Sequence, residues 1–196
     1  MHPAFQNAAS AVPITFATKS TWETLAAALP EPARHFAKAN AFTGKPGQYL
    51  ALPAADGSLA HVLFGIEDQA GAWRDLFRPG QLPAGTYRFA NAPHDTRLAA
   101  LAFALGSYRF GRYKKNDAPG AKLTPPDGID MIEISRMAKA ATLARDLINT
   151  PANDMGPEEL AQAAQALADK FGAKFSCIVG DDLLKQNFPL IHAVGM

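Results

Sequence analysis

Along the first 134 positions, apolar residues recur in two rhythms, one of period two and one near 3.6, the marks of strands and amphipathic helices. Val12–Ala17 (VPITFA) is a β-rich run. Ser20 and Glu23 stand three apart, as in a capping box, and predict a helix from Thr21 to about Leu29. Pro30 and Pro32 break it, and because proline is tolerated in a first helical turn, a second helix to about Asn40 is expected. Gln48–Pro53 and Leu59–Ile66 are β-rich runs joined by residues 54–58, where Asp56-Gly57 suits a hairpin turn. A short helical piece over Trp73–Phe77, a turn at Pro79-Gly80 and a strand at Thr86–Ala90 follow. Leu98, Leu101, Ala102 and Leu105 then recur at helical spacing, with Asp95 placed to cap the start. Asn116–Gly128, with three prolines and two glycines, reads as a loop, and Ile129–Ile134 as a closing strand. This interleaving predicts an α/β domain, a mixed sheet with helices on its faces.

After residue 134 the pattern turns helical. Met137, Ala140, Ala141, Ala144, Leu147 and Ile148 form the apolar stripe of a connecting helix over 135–149, ended by Thr150-Pro151. Gly156-Pro157-Glu158-Glu159 starts another helix, with the stripe Leu160, Ala164, Leu167 and Phe171 and a stop at Gly172. Phe175, Cys177 and Val179 alternate as a strand, and Gly180-Asp181 opens a short helix, the first βα unit of a second α/β domain. The last nine residues, FPLIHAVGM, hold six apolar side chains and no formal charge, and read as the interior of a larger unit. The 47 residues from 150 to 196 are too few to close a core without metals or disulfides. The expected organisation is an N-terminal α/β domain over 1–134, the connecting helix over 135–149 and a truncated second domain over 150–196.

Composition narrows the function classes. Nineteen basic against 18 acidic residues leave a net charge of +1, so no chain-wide field favours nucleic acid or an acidic membrane. The longest apolar run, Leu98–Leu105, is far short of the roughly 20 residues that cross a bilayer. Met1–Pro13 lacks the basic start and apolar stretch of a signal peptide. Cys177 is the single cysteine, which excludes an internal disulfide and favours a reducing, cytoplasmic location.

Candidate chemistry is sparse. The five histidines (His2, His35, His61, His94 and His192) show no metal-ligand spacing, and His61 and His192 read as packed or partly exposed. Asp181-Asp182 is better explained by capping than by catalysis, and Cys177 as a small buried hydrophobe. Gly44-Lys45-Pro46-Gly47 lacks the phosphate-loop arrangement and reads as a turn. In Asn149-Thr150-Pro151-Ala152-Asn153, the asparagines can bond nearby backbone while Pro151 fixes the turn. One stretch supports another class. Residues 108–122 carry five basic groups and one acid among Tyr108, Phe110 and Tyr113, as a single-strand nucleic-acid groove would.

Residues 145–157 (RDLINTPANDMGP), with the alanine-rich helix before them and ELAQAAQALADKFGAK after, resemble the start of the catalytic region in the leucyl aminopeptidase family. Tyr108-Arg109-Phe110 with Arg112-Tyr113 is similar to a segment preceding that family's connecting helix, with Gly111 between. The resemblance implies a cytosolic two-domain peptidase that takes N-terminal residues from peptides. In such proteins a cluster of Asp and Glu carboxylates and a Lys holds two divalent cations, Mn or Zn, which activate a bridging water. All of those ligands would lie beyond the matched segment. The resemblance therefore places no catalytic, cofactor-binding or metal residue on this chain, and this chain alone is expected to be inactive. It also implies a homohexameric parent whose remaining catalytic domain is this chain's partner.

Overall fold

The computed structural model describes residues 1–69, 79–114 and 119–195. It divides into two compact units, Met1–Arg145 and Asp146–Met196.

The first unit is built on a five-stranded mixed sheet of order β2-β3-β1-β4-β5. Its central strand, β1 (Val12–Ala17), pairs in parallel with β3 (Leu59–Gly65) and β4 (Gly85–Phe89). At one edge β2 (Tyr49–Pro53) lies antiparallel on β3, and at the other β5 (Ala121–Leu123) lies parallel on β4. The β2–β3 hairpin forms where Asp56-Gly57 predicts it, with Gly57 at φ +81° and Asp56 Oδ1 accepting from Ser58 N. Alternation along β1 divides its residues between two cores. Ile14 and Phe16 face α3 (Thr96–Gly106) together with Val62, Phe64 and Tyr87, whereas Ala17 and Leu63 pack with Trp22, Ala26 and Ala37 of α1 (Trp22–Ala28) and α2 (Glu31–Ala39). Six consecutive residues of α3, Ala99–Ala104, are buried, as a helix apolar on every side requires. Asp95 caps it, accepting from Leu98 N at 2.9 Å.

Four expectations change here. The Ser20–Glu23 capping box does not form, because Ser20 gives both its amide and its hydroxyl to Asp68 Oδ1. Thr18 and Thr21 instead exchange bonds, each amide donating to the other's Oγ1 at 2.9 and 3.2 Å. The expected loop over 116–128 contains β5, an edge strand held by β4 on one side and by the N-terminal segment on the other. Ile129–Ile134 is not a strand. Asp130 Oδ1 accepts from Ile132 N and Glu133 N, so helix α4 (Met131–Asn149) begins four residues before the expected 135. Its buried face is Ile134, Ser135 and Ala138, while Met137, Ala140, Ala144 and Ile148 of the expected stripe are exposed. The helix expected over Trp73–Phe77 and residues 116–118 of the expected loop lie outside the described residues.

The second unit holds the end of α4, then α5 (Pro157–Phe171), α6 (Asp182–Lys185) and α7 (Pro189–Val194). Glu159 Oε2 accepts from Gly156 N at the start of α5, and Gly172 ends the helix at φ +65°. The strand expected over Phe175–Val179 is absent among the described residues, and Cys177 is exposed rather than buried. A strand needs a neighbour to satisfy its backbone, and this unit supplies none among them. The stripe on α5 stands in solvent, with Leu160 at 52% and Phe171 at 69% exposure.

Candidate functional site

No three His, Cys, Asp or Glu side chains gather into a metal-binding group among the described residues. Three of the histidines, His61, His94 and His192, have local partners. His61 Nε2 is 2.7 Å from Thr15 Oγ1 on the sheet, where burial and then the Arg88 charge push its pKa down. His192 Nε2 lies 3.3 Å from Asp181 Oδ1, and His94 Nε2 meets the Glu67 carbonyl. Asp181 and Asp182 do not cap α6 with their side chains. They diverge, Asp181 to His192 and Asp182 to Lys185 Nζ at 2.6 Å. Gly44–Gly47 is the expected turn, with Gly44 and Gly47 at φ +69° and +75° and its backbone against the end of β3.

A cleft of about 450 Å³ opens where β1, β3 and β4 end, lined by Phe16, Thr18, Thr24, Leu25, Ile66 and His94 among others. The C-terminal ends of the parallel strands β3, β1 and β4 lie side by side here, the end of an open α/β sheet at which such crevices form. Asn91 holds its floor by doing the work of a strand residue. Its Oδ1 accepts from Phe16 N and its Nδ2 donates to Phe16 O, both at 2.8 Å. The polar groups around the cleft are thus committed to the chain itself: Asn91 to β1, Ser20 to Asp68, and Thr18 to Thr21. Hydrogen bonds from Thr18 and Ser20 also hold the Asp68 carboxyl below its ordinary range. Among the described residues no Asp, Glu, Lys or Arg lines the cleft. Sequence reasoning gave no sign of this cleft, because periodicity reports faces of elements and not the order of strands.

Two residues of the resemblance, Arg145 and Tyr108, lie together within the first unit. Arg145, late in α4, donates from Nη1 to the Leu105 carbonyl at 2.7 Å and stacks over Tyr108 at 5.3 Å from the ring centroid. Just beyond, Thr150 closes α4 by donating both its amide and its hydroxyl to Asp146 O, and Asp154 N donates to Pro151 O, so the NTPAN segment is a helix stop followed by a tight turn. Part of the basic stretch is engaged within the chain. Arg112 lies over Tyr113, Phe110 packs edge-on against the same ring, and Lys122 donates to the Pro3 carbonyl. A continuous stacking platform for bases is not what these contacts build.

Residues 12–126 match the model of the M17 aminopeptidase N-terminal domain, and residues 142–196 match that of the cytosol aminopeptidase catalytic domain. The chain belongs to the M17 cytosol aminopeptidase family. It is similar to the cytosol aminopeptidase of Coxiella burnetii, with a TM-score of 0.79, 32% identity, and coverage of 91% of this chain and 40% of that one. It is 31% identical to a probable cytosol aminopeptidase of Sinorhizobium medicae, over 83% of this chain and 39% of the relative. The bottromycin maturation enzyme BotP, solved in complex with Mn, superposes with a TM-score of 0.57 at 25% identity, over 84% of this chain and 37% of that one. The chain therefore spans about two-fifths of the length of these proteins. No helix among the described residues is long and apolar enough to cross a membrane.

Proposed function

We propose that this chain is the non-catalytic N-terminal portion of a metal-dependent, leucyl-type aminopeptidase. Its parts are an α/β domain, a connecting helix and the opening of the catalytic domain from about residue 150. The observation that carries this reading is the order of the two family matches on one chain, N-terminal domain first and catalytic domain second, hinged on the helix that ends at RDLINTPANDMGP.

The parent would hydrolyse N-terminal, leucine-like residues from peptides in the cytoplasm, as a homohexamer. A Mn complex of a relative supports the metal requirement. Two divalent cations, Mn or Zn, would supply the activated water. The residues present here do not fit that pair, since no cluster of three ligand-type side chains occurs among those described, and no catalytic step is routed through this chain. What the chain does offer is cover. Leu160, Leu167 and Phe171 along α5, and Leu190, Ile191 and Val194 in α7, are apolar and exposed, the condition of a face whose neighbours come from the rest of its own catalytic domain. The rival reading, a nucleic-acid-binding module, is less favoured because Tyr108 and Tyr113 already carry Arg145 and Arg112 over their rings.

The test is the reading frame beyond codon 196. It should continue into a region rich in Lys and in Asp and Glu that supplies the metal ligands. A stop codon at that point would sink the parent-enzyme reading.

A further inference from the structure

The first six residues do not trail into solvent. His2, Ala4 and Phe5 are 8%, 3% and 6% exposed, and Ala4 and Phe5 belong to the same core cluster as Leu123, Ile134 and Ala138. The segment runs beside β5, where Leu123 N donates to Ala4 O at 2.7 Å and Gln6 N to Leu123 O at 3.0 Å. Phe5 and Leu123 form a parallel bridge, so the segment extends the sheet edge by one short rung. It also reaches α4, because His2 N donates to Ser135 Oγ at 3.0 Å. The His2 ring sits at the centre of these contacts. Its Nδ1 accepts from Ala4 N at 3.2 Å, which requires that this nitrogen carry no proton, and its ring packs edge-on to Phe5.

We propose that residues 1–6 are an acid-releasable strap, pinned across β5 and the first turns of α4 by neutral His2 and freed when His2 takes up a proton. Protonation removes the Nδ1 acceptor that Ala4 uses. It also places a cation in a buried site where the charged groups acting on the ring among the described residues are positive: Lys139 from α4, Lys122 from β5 and the amino group of Met1. Among the described residues no carboxylate acts on the ring to offset them. Burial first, then those three cations, lower the His2 pKa below its ordinary 6.5. A base whose pKa is lower folded than unfolded contributes stability that is complete above the unfolded value. That contribution declines as the pH falls from about 6.5 toward the folded value. Release therefore begins on mild acidification. Its consequence is local: the β5 edge loses its outer rung and α4 loses the tie at Ser135. The inference does not depend on the enzymatic reading.

An NMR titration of the full chain from about pH 7.5 to about pH 5 tests it, following the His2 imidazole and the exchange protection of the Gln6 and Leu123 amides, corrected for intrinsic exchange. Expected is a His2 midpoint below 6.5, with protection at both amides falling roughly tenfold per pH unit until the proton is fully taken up. His61→Gln should leave that loss intact, and His2→Gln should make the protection independent of pH. If His2→Gln frees the strap outright, Lys139→Gln reads the same mechanism, since removing one cation should raise the His2 midpoint and the release with it. Flat protection in the unaltered chain, a His2 midpoint at or above 6.5, or a midpoint unmoved by Lys139→Gln would overturn the proposal.

Discussion

Gly65 ends β3 hard against the turn that follows Thr43. A Cβ placed on it would lie 1.9 Å from the Lys45 carbonyl oxygen, and backbone cannot yield as the tip of a side chain can. Gly57 is the useful contrast. A Cβ there meets nothing within 4 Å, so its only penalty is the positive φ of +81°. Gly65→Ala should therefore cost about 3 kcal/mol, and Gly57→Ala about 1 kcal/mol. Urea unfolding followed by tryptophan fluorescence checks both, since Trp22 is buried beside Phe42 in the cluster under this turn. Equal midpoints for Gly65→Ala and the unaltered chain would contradict the steric account. Single residues also show what a sequence conceals. Tyr108 and Arg145 were legible as motif members, but the stacking that joins them depends on the chain folding back over 36 intervening positions.

Elements were legible where their own residues settle their partners. β1, the β2–β3 hairpin and α3 follow from alternation, a Gly-containing turn and a capping aspartate, all local. Asp95→Ala should remove the bond to Leu98 N and cost about 1 kcal/mol, read by the same urea titration; an unchanged midpoint would mean that packing alone holds the start of α3. β5 was hidden because three residues among prolines become a strand only through β4 and the N-terminal segment. Residues 129–134 misled for a different reason. Over six residues an apolar pattern fits either period, and the deciding signal was Asp130, whose carboxylate takes two amides at the start of α4. Arg97 then ties α3 to that first turn through a two-pronged bond to Glu133, which holds the Glu133 carboxyl below its ordinary range. The Phe175–Val179 run has the composition of a strand but no partner among the described residues, and propensity without a neighbour makes no sheet.

At the scale of the molecule, the two units differ in kind. Met1–Arg145 closes two cores on the faces of one sheet, while in Asp146–Met196 only Thr150 is buried among the described residues. The resemblance implies that the family's ligands lie past the NTPAN turn, so the sequence named no candidate site residue to look for on this chain. The cleft at the strand ends was not legible at all, because it arises from strand order. The central claim, a non-catalytic N-terminal portion of a metal-dependent aminopeptidase, is tested most directly by release of p-nitroaniline from leucine p-nitroanilide with Mn²⁺ or Zn²⁺ added. The account predicts no turnover above the metal-only blank for residues 1–196, and metal-dependent turnover for the product of the reading frame continued past codon 196. Turnover by residues 1–196 alone, or none by the continued product with either metal, would contradict it.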